Sequence, residues 1–497
     1  MSRGMRRWIA PALAVLLSTT VHNARAEEGD RTVRSTDVLD LMTARNPSLK
    51  AALAAEARAA ASVQSAEGLY PFVFNADTGY THDSNPLGAS LYRRTDQISI
   101  GAGISKSLSI GTAVDFHLDG QWYREENPAP DTLDVGGVPS YGLGARLTLT
   151  QPLLRGFGNR VGLAALRQAR RERTAAEKST DNRASALAKD ALSAYWNLWL
   201  AGKTVEINMK SRDTAAAQLQ ETAERVALGD AAAVDKLSYQ TRLASLEETV
   251  LASKAAVRQL QVSLAAMIGV IDETSQPAPD MSERPEAVSE PENRPLGVLV
   301  KQALTESPAI QESFAAVASA EEKLSTAGES LRQKLDLTGW IEARTLGQDD
   351  VSPVVTDFGK GGAYSGYVGL TYELPLDNRR KRAERAQAKI DVEIATQNLK
   401  STEYTVRSDV AAAYDDLNTA KQRLSMAEET LALAEAQADA ERERYRLGAA
   451  IFTTVRDAEE TVRGAELRTA QAEVDIVLAQ ITLDHLTGTL LKTLAVR

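Results

Sequence analysis

Two long stretches of the chain place apolar residues at alternating spacings of four and three. Proline is absent from residues 153–276 and from 376 to the C-terminus. In the first stretch, thirteen positions between 184 and 226 follow the four-three spacing, and twelve of them are apolar or glycine. A heptad pattern sustained over this length predicts coiled-coil packing, and its many alanines predict closely spaced helices. The predicted helices are two long ones, 160–228 and 378–447, each followed by a shorter one, 230–268 and 449–491.

Six shorter segments alternate apolar and polar residues at every second position, which predicts β-strands. In one of them Ile98, Ile100 and Ile104 share a face, with serine and glutamine on the opposite face. Each segment has about ten residues, the length of a transmembrane β-strand, although a soluble sheet would show the same alternation. The predicted strands are 72–82, 96–106, 112–124 and 142–151, with a further pair within 335–374.

The N-terminus has the three parts of a secretory signal peptide over residues 1–26. Arginines at positions 3, 6 and 7 precede an apolar stretch, and Ala24-Arg25-Ala26 offers a small-x-small cleavage site. No other stretch approaches the roughly 18 apolar residues of a membrane helix. Export without such a helix leaves the periplasm, the medium or an outer-membrane β-barrel, so the signal favours a membrane-type sheet over a soluble one.

The order of helices and strands occurs twice along the chain. Asn46-Pro47 reappears as Ser307-Pro308 at an offset of 261, and later an offset of 219 relates Tyr195 to Tyr414 and Gly269 to Gly488. Residues 277–295 hold five of the sixteen prolines, which predicts an irregular linker between the copies. The predicted organisation is a first structural repeat (27–270), a proline-rich linker (271–296) and a second repeat (297–497).

The amino-acid composition argues against several classes of function. The 497 residues include no cysteine and four histidines, which excludes thiol catalysis, disulfides and thiolate metal sites. A formal charge of −10 argues against nucleic acid as a partner. The histidines beyond the signal, at 82, 117 and 485, lack metal-ligand spacing, and no nucleophile–base set is visible. We therefore expect no cofactor, no metal and no enzymatic activity.

The ordered set of motifs resembles the TolC-type outer-membrane efflux proteins. It comprises the duplicated plan, Asn46-Pro47, the segment 151–158 after the strands, Leu-Gly turns at 228–229 and 447–448, and the segment 486–490. The resemblance implies an α+β membrane protein: a homotrimeric transmembrane β-barrel in outer-membrane lipid, continued by a long coiled-coil α-helical barrel in the periplasm. It also implies a passive duct for toxic compounds, supplied by a periplasmic adaptor and an inner-membrane transporter.

Two other functions share features with the efflux duct. The same duct could serve a type I protein secretion system, and the sequence does not separate the two. A periplasmic adaptor would need lipoyl-like domains flanking one helical hairpin, whereas this chain predicts two hairpins and membrane-type strands.

The strand count departs from the family plan. The family has two strands per copy, hence twelve in a trimer, whereas the first copy here predicts four. Either the 96–124 hairpin is an extension outside the membrane or the barrel has eighteen strands. Family precedent favours twelve.

The resemblance locates the functional residues just after the two Leu-Gly turns, at the periplasmic tip. Gly229 and Gly448 form the turns, Tyr445 matches a gating tyrosine, Asp235 an aspartate that holds the tip closed, and Asp457 an aperture aspartate. Two positions differ from the family, since Ala450 replaces a latch arginine and Thr454 a second aspartate. The pattern favours Asp230 as the N-cap of the returning helix rather than as a lumen residue.

Overall fold

The computed structural model describes residues 31–84, 94–126, 139–229, 232–270, 276–285, 294–358 and 363–492. The predicted signal peptide, Asp230 and parts of the predicted linker lie outside these ranges. The strands are β1 (Arg31–Val33), β2 (Phe72–Ser84), β3 (Arg94–Ser107), β4 (Ala113–Glu126), β5 (Ser140–Pro152), β6 (Pro277–Pro279), β7 (Lys334–Gln348) and β8 (Ala363–Glu373). The helices are α1 (Ser35–Arg45), α2 (Pro47–Glu67), α3 (Asn159–Gly162), α4 (Ala164–Leu228), α5 (Ala233–Ile268), α6 (Leu296–Glu306), α7 (Pro308–Glu329), α8 (Ser352–Thr356), α9 (Arg379–Arg446) and α10 (Phe452–Leu486).

Proline divides the helical segment that precedes each group of strands. The first segment divides into α1 and α2 at Asn46, whose backbone is extended before Pro47. Ser307 precedes Pro308 in the same way between α6 and α7. A residue before proline is driven out of the helical conformation by the proline ring, so the break is local in origin. Within the described ranges, none of the helices combines the length and apolarity needed to cross a bilayer.

Part of the predicted linker is ordered rather than irregular. β6 pairs in parallel with β1, so that Ala278 lies opposite Thr32 and Pro279 opposite Val33. Proline cannot donate a hydrogen bond, which restricts it to short edge pairings such as this one.

The chain divides into two compact units. The helical unit comprises residues up to 46, 188–291 and 416–481, and the sheet unit comprises 47–187, 292–415 and the residues from 482 onward. In the helical unit, Tyr195 and Trp196 lie edge to face with ring centroids 5.1 Å apart, and both are almost completely buried. In the sheet unit, Val63, Ala66 and Ala169 form a small cluster between α2 and the start of α4.

One six-stranded antiparallel sheet dominates the sheet unit, in the order β2-β3-β4-β5-β7-β8. The strands from the two predicted copies join where β5 pairs with β7, Arg146 lying opposite Glu342. The hairpin predicted at 96–124 is part of this sheet, because β3 and β4 are interior strands paired on both sides. The turn signals at 108–111 located the hairpin correctly, but only the long-range pairing decides which strands lie beside it.

The sheet has one apolar face and one polar face. On the apolar face a row of registered neighbours contains Ile104, Phe116, Leu147 and Ile341, all at least 41% exposed. The polar face carries charged and hydroxyl side chains on every strand, with glycines beneath several of them. Alternation of this kind is typical of a sheet between an apolar and an aqueous phase.

Candidate functional site

The two Leu-Gly turns end the long helices in the helical unit. Gly229 and Gly448 have φ angles of +83° and +71°, the left-handed conformation that glycine adopts without a Cβ penalty. The Gly229 amide donates to the Val226 carbonyl at 3.1 Å, and the Gly448 amide to the Tyr445 carbonyl at 3.0 Å. These bonds satisfy carbonyls that would otherwise be unpaired at the helix ends.

Tyr445 lies in a group of aromatic side chains that joins three helices. The Arg225 guanidinium of α4 lies over its ring, 5.8 Å from the centroid. On α5, Tyr239 packs against Phe452 of α10 with ring centroids 4.1 Å apart. Burial raises the pKa of the Tyr239 phenol, and the adjacent Tyr445 side chain raises it further. The Tyr239 phenol is therefore a neutral hydrogen-bonding group.

The two predicted aspartates have different environments. Asp235 is half-buried in the first turn of α5, one helical turn before Tyr239 and on the same face. Asp457 is 67% exposed, and its carboxylate pairs with its neighbour Arg456 at 2.7 Å. Asp235 thus shares a helix face with Tyr239, whereas Asp457 lies at a solvent-facing position.

A buried charge cluster that the sequence did not reveal connects four helices near the turns. Glu459 of α10 is 6% exposed and pairs with Arg242 of α5 at 2.8 Å and with Arg442 of α9 at 3.1 Å. Gln218 of α4 donates to the same carboxylate at 2.6 Å. Arg242 is itself only 12% exposed, so both charges of that pair have lost most of their hydration.

The sequence contained only a weak signal for this cluster. Glu459 occupies the buried face of α10 between Val455 and other apolar positions, and an acid on an apolar face needs a partner. Its partners come from helices more than 200 residues away or across a turn, so no spacing rule identifies them. Charged residues on a helix are usually solvated, so neither Arg242 nor Arg442 stands out in the sequence.

The polar face of the sheet carries a second group of charges. Glu342 of β7 accepts from Arg146 at 2.7 Å and pairs with Arg344 at 2.7 Å. The Arg146 guanidinium also lies 4.8 Å from the Trp340 ring centroid, and Trp340 stacks on Tyr367. Among the described residues, no group of three or more His, Asp or Glu side chains is arranged to hold a metal ion.

Residues 299–489 match the family model described as outer membrane efflux protein. The predicted resemblance to this family is confirmed. The family is one of outer-membrane channels with a transport function and is not an enzyme family. No curated protein matches the sequence.

Solved structures of outer-membrane proteins have a similar fold. The outer membrane protein VceC from Vibrio cholerae has a TM-score of 0.61 at 16% identity, covering 91% of this chain and 96% of that chain. CmeC of Campylobacter jejuni has a TM-score of 0.62 at 13% identity, covering 94% and 91%. The open state of MtrE from Neisseria gonorrhoeae has a TM-score of 0.62 at 15% identity, covering 95% and 94%. This chain therefore shares the fold of these three structures.

Proposed function

We propose that three copies of this chain form a passive duct across the outer membrane, through which solutes leave the periplasm. The observation that carries the proposal is the six-stranded sheet with one apolar and one polar face. Such a sheet separates lipid from water once it is closed on itself, because closure leaves no backbone group unpaired in the hydrocarbon. The family match adds an outer-membrane location and a role in efflux.

We propose that the sheet closes into a barrel by pairing with the sheets of other copies of the chain. Within the described residues, β2 and β8 each pair with one strand only, so their outer edges are open. Open edges of 13 and 11 residues would promote aggregation of an isolated subunit. A ring of identical subunits joins each β8 edge to the β2 edge of the next copy and removes the hazard.

The proposed source of solutes is a periplasmic adaptor together with an inner-membrane transporter, and the proposed cargo is small toxic compounds. The family's efflux role supports this route. The helical unit would form the periplasmic part, with its aperture at the two Leu-Gly turns. There Asp235 and Tyr445 would hold the tip closed, while three copies of Asp457 would line the opening and concentrate cations.

We expect single channels in planar bilayers to conduct cations preferentially, and Asp457→Ala to reduce cation-over-anion selectivity several-fold. The physical reason is that three nearby carboxylates in a narrow aperture raise the local cation concentration. Asp213→Ala is the matched control, because Asp213 is similarly exposed (64%) and likewise pairs with a preceding arginine. The measurement is the reversal potential in a salt gradient, for parent and both variants.

Equal loss of selectivity in both variants would show that Asp457 contributes no more to cation selectivity than the control residue Asp213. Absence of any conductance from a folded, membrane-inserted oligomer would overturn the duct itself.

A further inference from the structure

We infer that the barrel has eighteen strands, six from each of three copies, with the β3–β4 hairpin inside the membrane. This inference rests on the proposed trimeric channel. It departs from the twelve-stranded barrel that the family resemblance implies, and three independent features of the sheet unit support it.

The first feature is the hydrogen-bonded pairing of the hairpin. β3 is in register with β2 over 13 residue pairs and with β4 over 14, and β4 is in register with β5 over 11. A twelve-stranded barrel would take four strands from each chain and would need β2 to pair directly with β5. Both ladders beside the hairpin would have to be broken to allow that, and the hairpin would be left with two open edges.

The second feature is the apolar face of the hairpin. Ile100 is 62% exposed and Leu118 is 41% exposed, on the same face as Val368 of β8 at 78%. Outside the membrane these side chains would form a large apolar patch in water, which soluble surfaces avoid. The apolar face extends without interruption over all six strands, so we infer that the acyl chains of lipid cover it.

The third feature is the level at which the hairpin turns. The Ile110 carbonyl in the β3–β4 turn accepts from the Gly158 amide at 2.9 Å, and Ser109 donates to Asn159 at 3.0 Å. Residues 158 and 159 lie between β5 and the start of α4. The hairpin therefore turns beside the helix-proximal end of the sheet, and its 14-residue strands run the same distance as their neighbours.

Six strands per copy also meet the geometric requirement for closure. Every adjacent pair in the sheet is antiparallel, so β2 and β8 run in opposite directions. β8 of one copy consequently meets β2 of the next in the antiparallel sense, as in other membrane barrels. Barrel diameter grows roughly linearly with strand number, so eighteen strands give a lumen about 1.5 times as wide as twelve.

The test uses single cysteines, which the cysteine-free chain allows without further changes. Ile100→Cys, Ser99→Cys and Val368→Cys are labelled with an environment-sensitive fluorophore in full-length trimers and reconstituted into vesicles containing brominated phosphatidylcholine. Positions 99 and 100 are adjacent on β3 but point to opposite faces. We expect strong quenching by lipid at 100 and 368 and none at 99.

The three labels separate the possible failures. Quenching at 368 without quenching at 100 would overturn the eighteen-stranded barrel and leave the proposed channel intact. Absence of quenching at both 100 and 368 would overturn the membrane barrel and with it the proposed function. Equal quenching at 99 and 100 would show that the two faces are not separated by the membrane, which also contradicts the inference.

Disulfide formation gives a second, independent measurement. Ala76, Ala102 and Ala145 lie in one row across β2, β3 and β5. We expect Ala76→Cys/Ala102→Cys to oxidise readily within one chain, and Ala76→Cys/Ala145→Cys not to, because three strand spacings separate their backbones by about 14 Å. A twelve-stranded barrel with β2 beside β5 predicts the opposite result for the two pairs.

Discussion

Glu459→Gln is expected to weaken the packing around the two turns by about 3–5 kcal/mol, the cost typical of breaking a buried ion pair. The glutamine would leave Arg242 almost buried without a counter-charge, and it would remove the group that connects Gln218, Arg242 and Arg442. If these contacts belong to the closed tip, a loss of about 3 kcal/mol shifts the closed–open equilibrium by roughly two orders of magnitude. The expected result is a higher open probability in planar bilayers.

Two matched variants distinguish this role from a general loss of an acid. Glu460→Gln removes the adjacent, 55% exposed carboxylate, which pairs with Arg463 on the same helix, and we expect near-parental conductance. Glu459→Gln/Arg242→Gln removes both buried charges, and we expect it to recover much of the lost stability, because the unpaired charge is the main cost.

Amide hydrogen exchange over the helix ends at 218–228 and 442–446 provides a readout that does not depend on the pore. Faster exchange in Glu459→Gln but not in Glu460→Gln would support the cluster as the stabilising contact. Identical exchange and conductance in the two variants would show that the cluster contributes nothing to the tip.

Gly269→Ala and Gly488→Ala are expected to destabilise the subunit more than alanine at the turn glycines. All four residues have positive φ angles, which costs a non-glycine residue about 1–2 kcal/mol. A Cβ at Gly269 would also lie 2.9 Å from the Arg45 carbonyl oxygen, and one at Gly488 would clash with the Glu306 carbonyl oxygen. Overpacking against backbone adds about 1–3 kcal/mol, so we expect about 2–5 kcal/mol at these positions.

Gly229→Ala and Gly448→Ala are the controls, because no described atom lies within 4 Å of the added Cβ at either position. The measurement is the thermal unfolding midpoint of the purified oligomer for all four variants. Equal midpoints would indicate that backbone strain alone causes the destabilisation. The close approach to the carbonyl oxygens of Arg45 and Glu306 would then add nothing to it.

Much of the local structure follows from periodicity, and periodicity alone. The heptad stripes of 160–228 and 378–447 correspond to α4 and α9 because a 3.6-residue period and the absence of proline define a helix whatever lies beside it. The same holds for the alternation in β3 to β5, since side chains on a strand point to opposite faces with a period of two. Asn46-Pro47 is visible in the sequence as a motif, and its local consequence is a break between two helices.

Local residue patterns were therefore enough to predict the helices, the strands, the two turn glycines and the family resemblance. The position of the β3–β4 hairpin within the sheet, and the partners of Glu459 on three other helices, became known from the folded chain. The reason is physical: the conformation of a segment is biased by its own residues, whereas strand neighbours and buried ion pairs depend on residues far away in the chain. The departures from the family plan at Ala450 and Thr454 were visible in the sequence, but the buried cluster near them became visible only when the four helices were packed together.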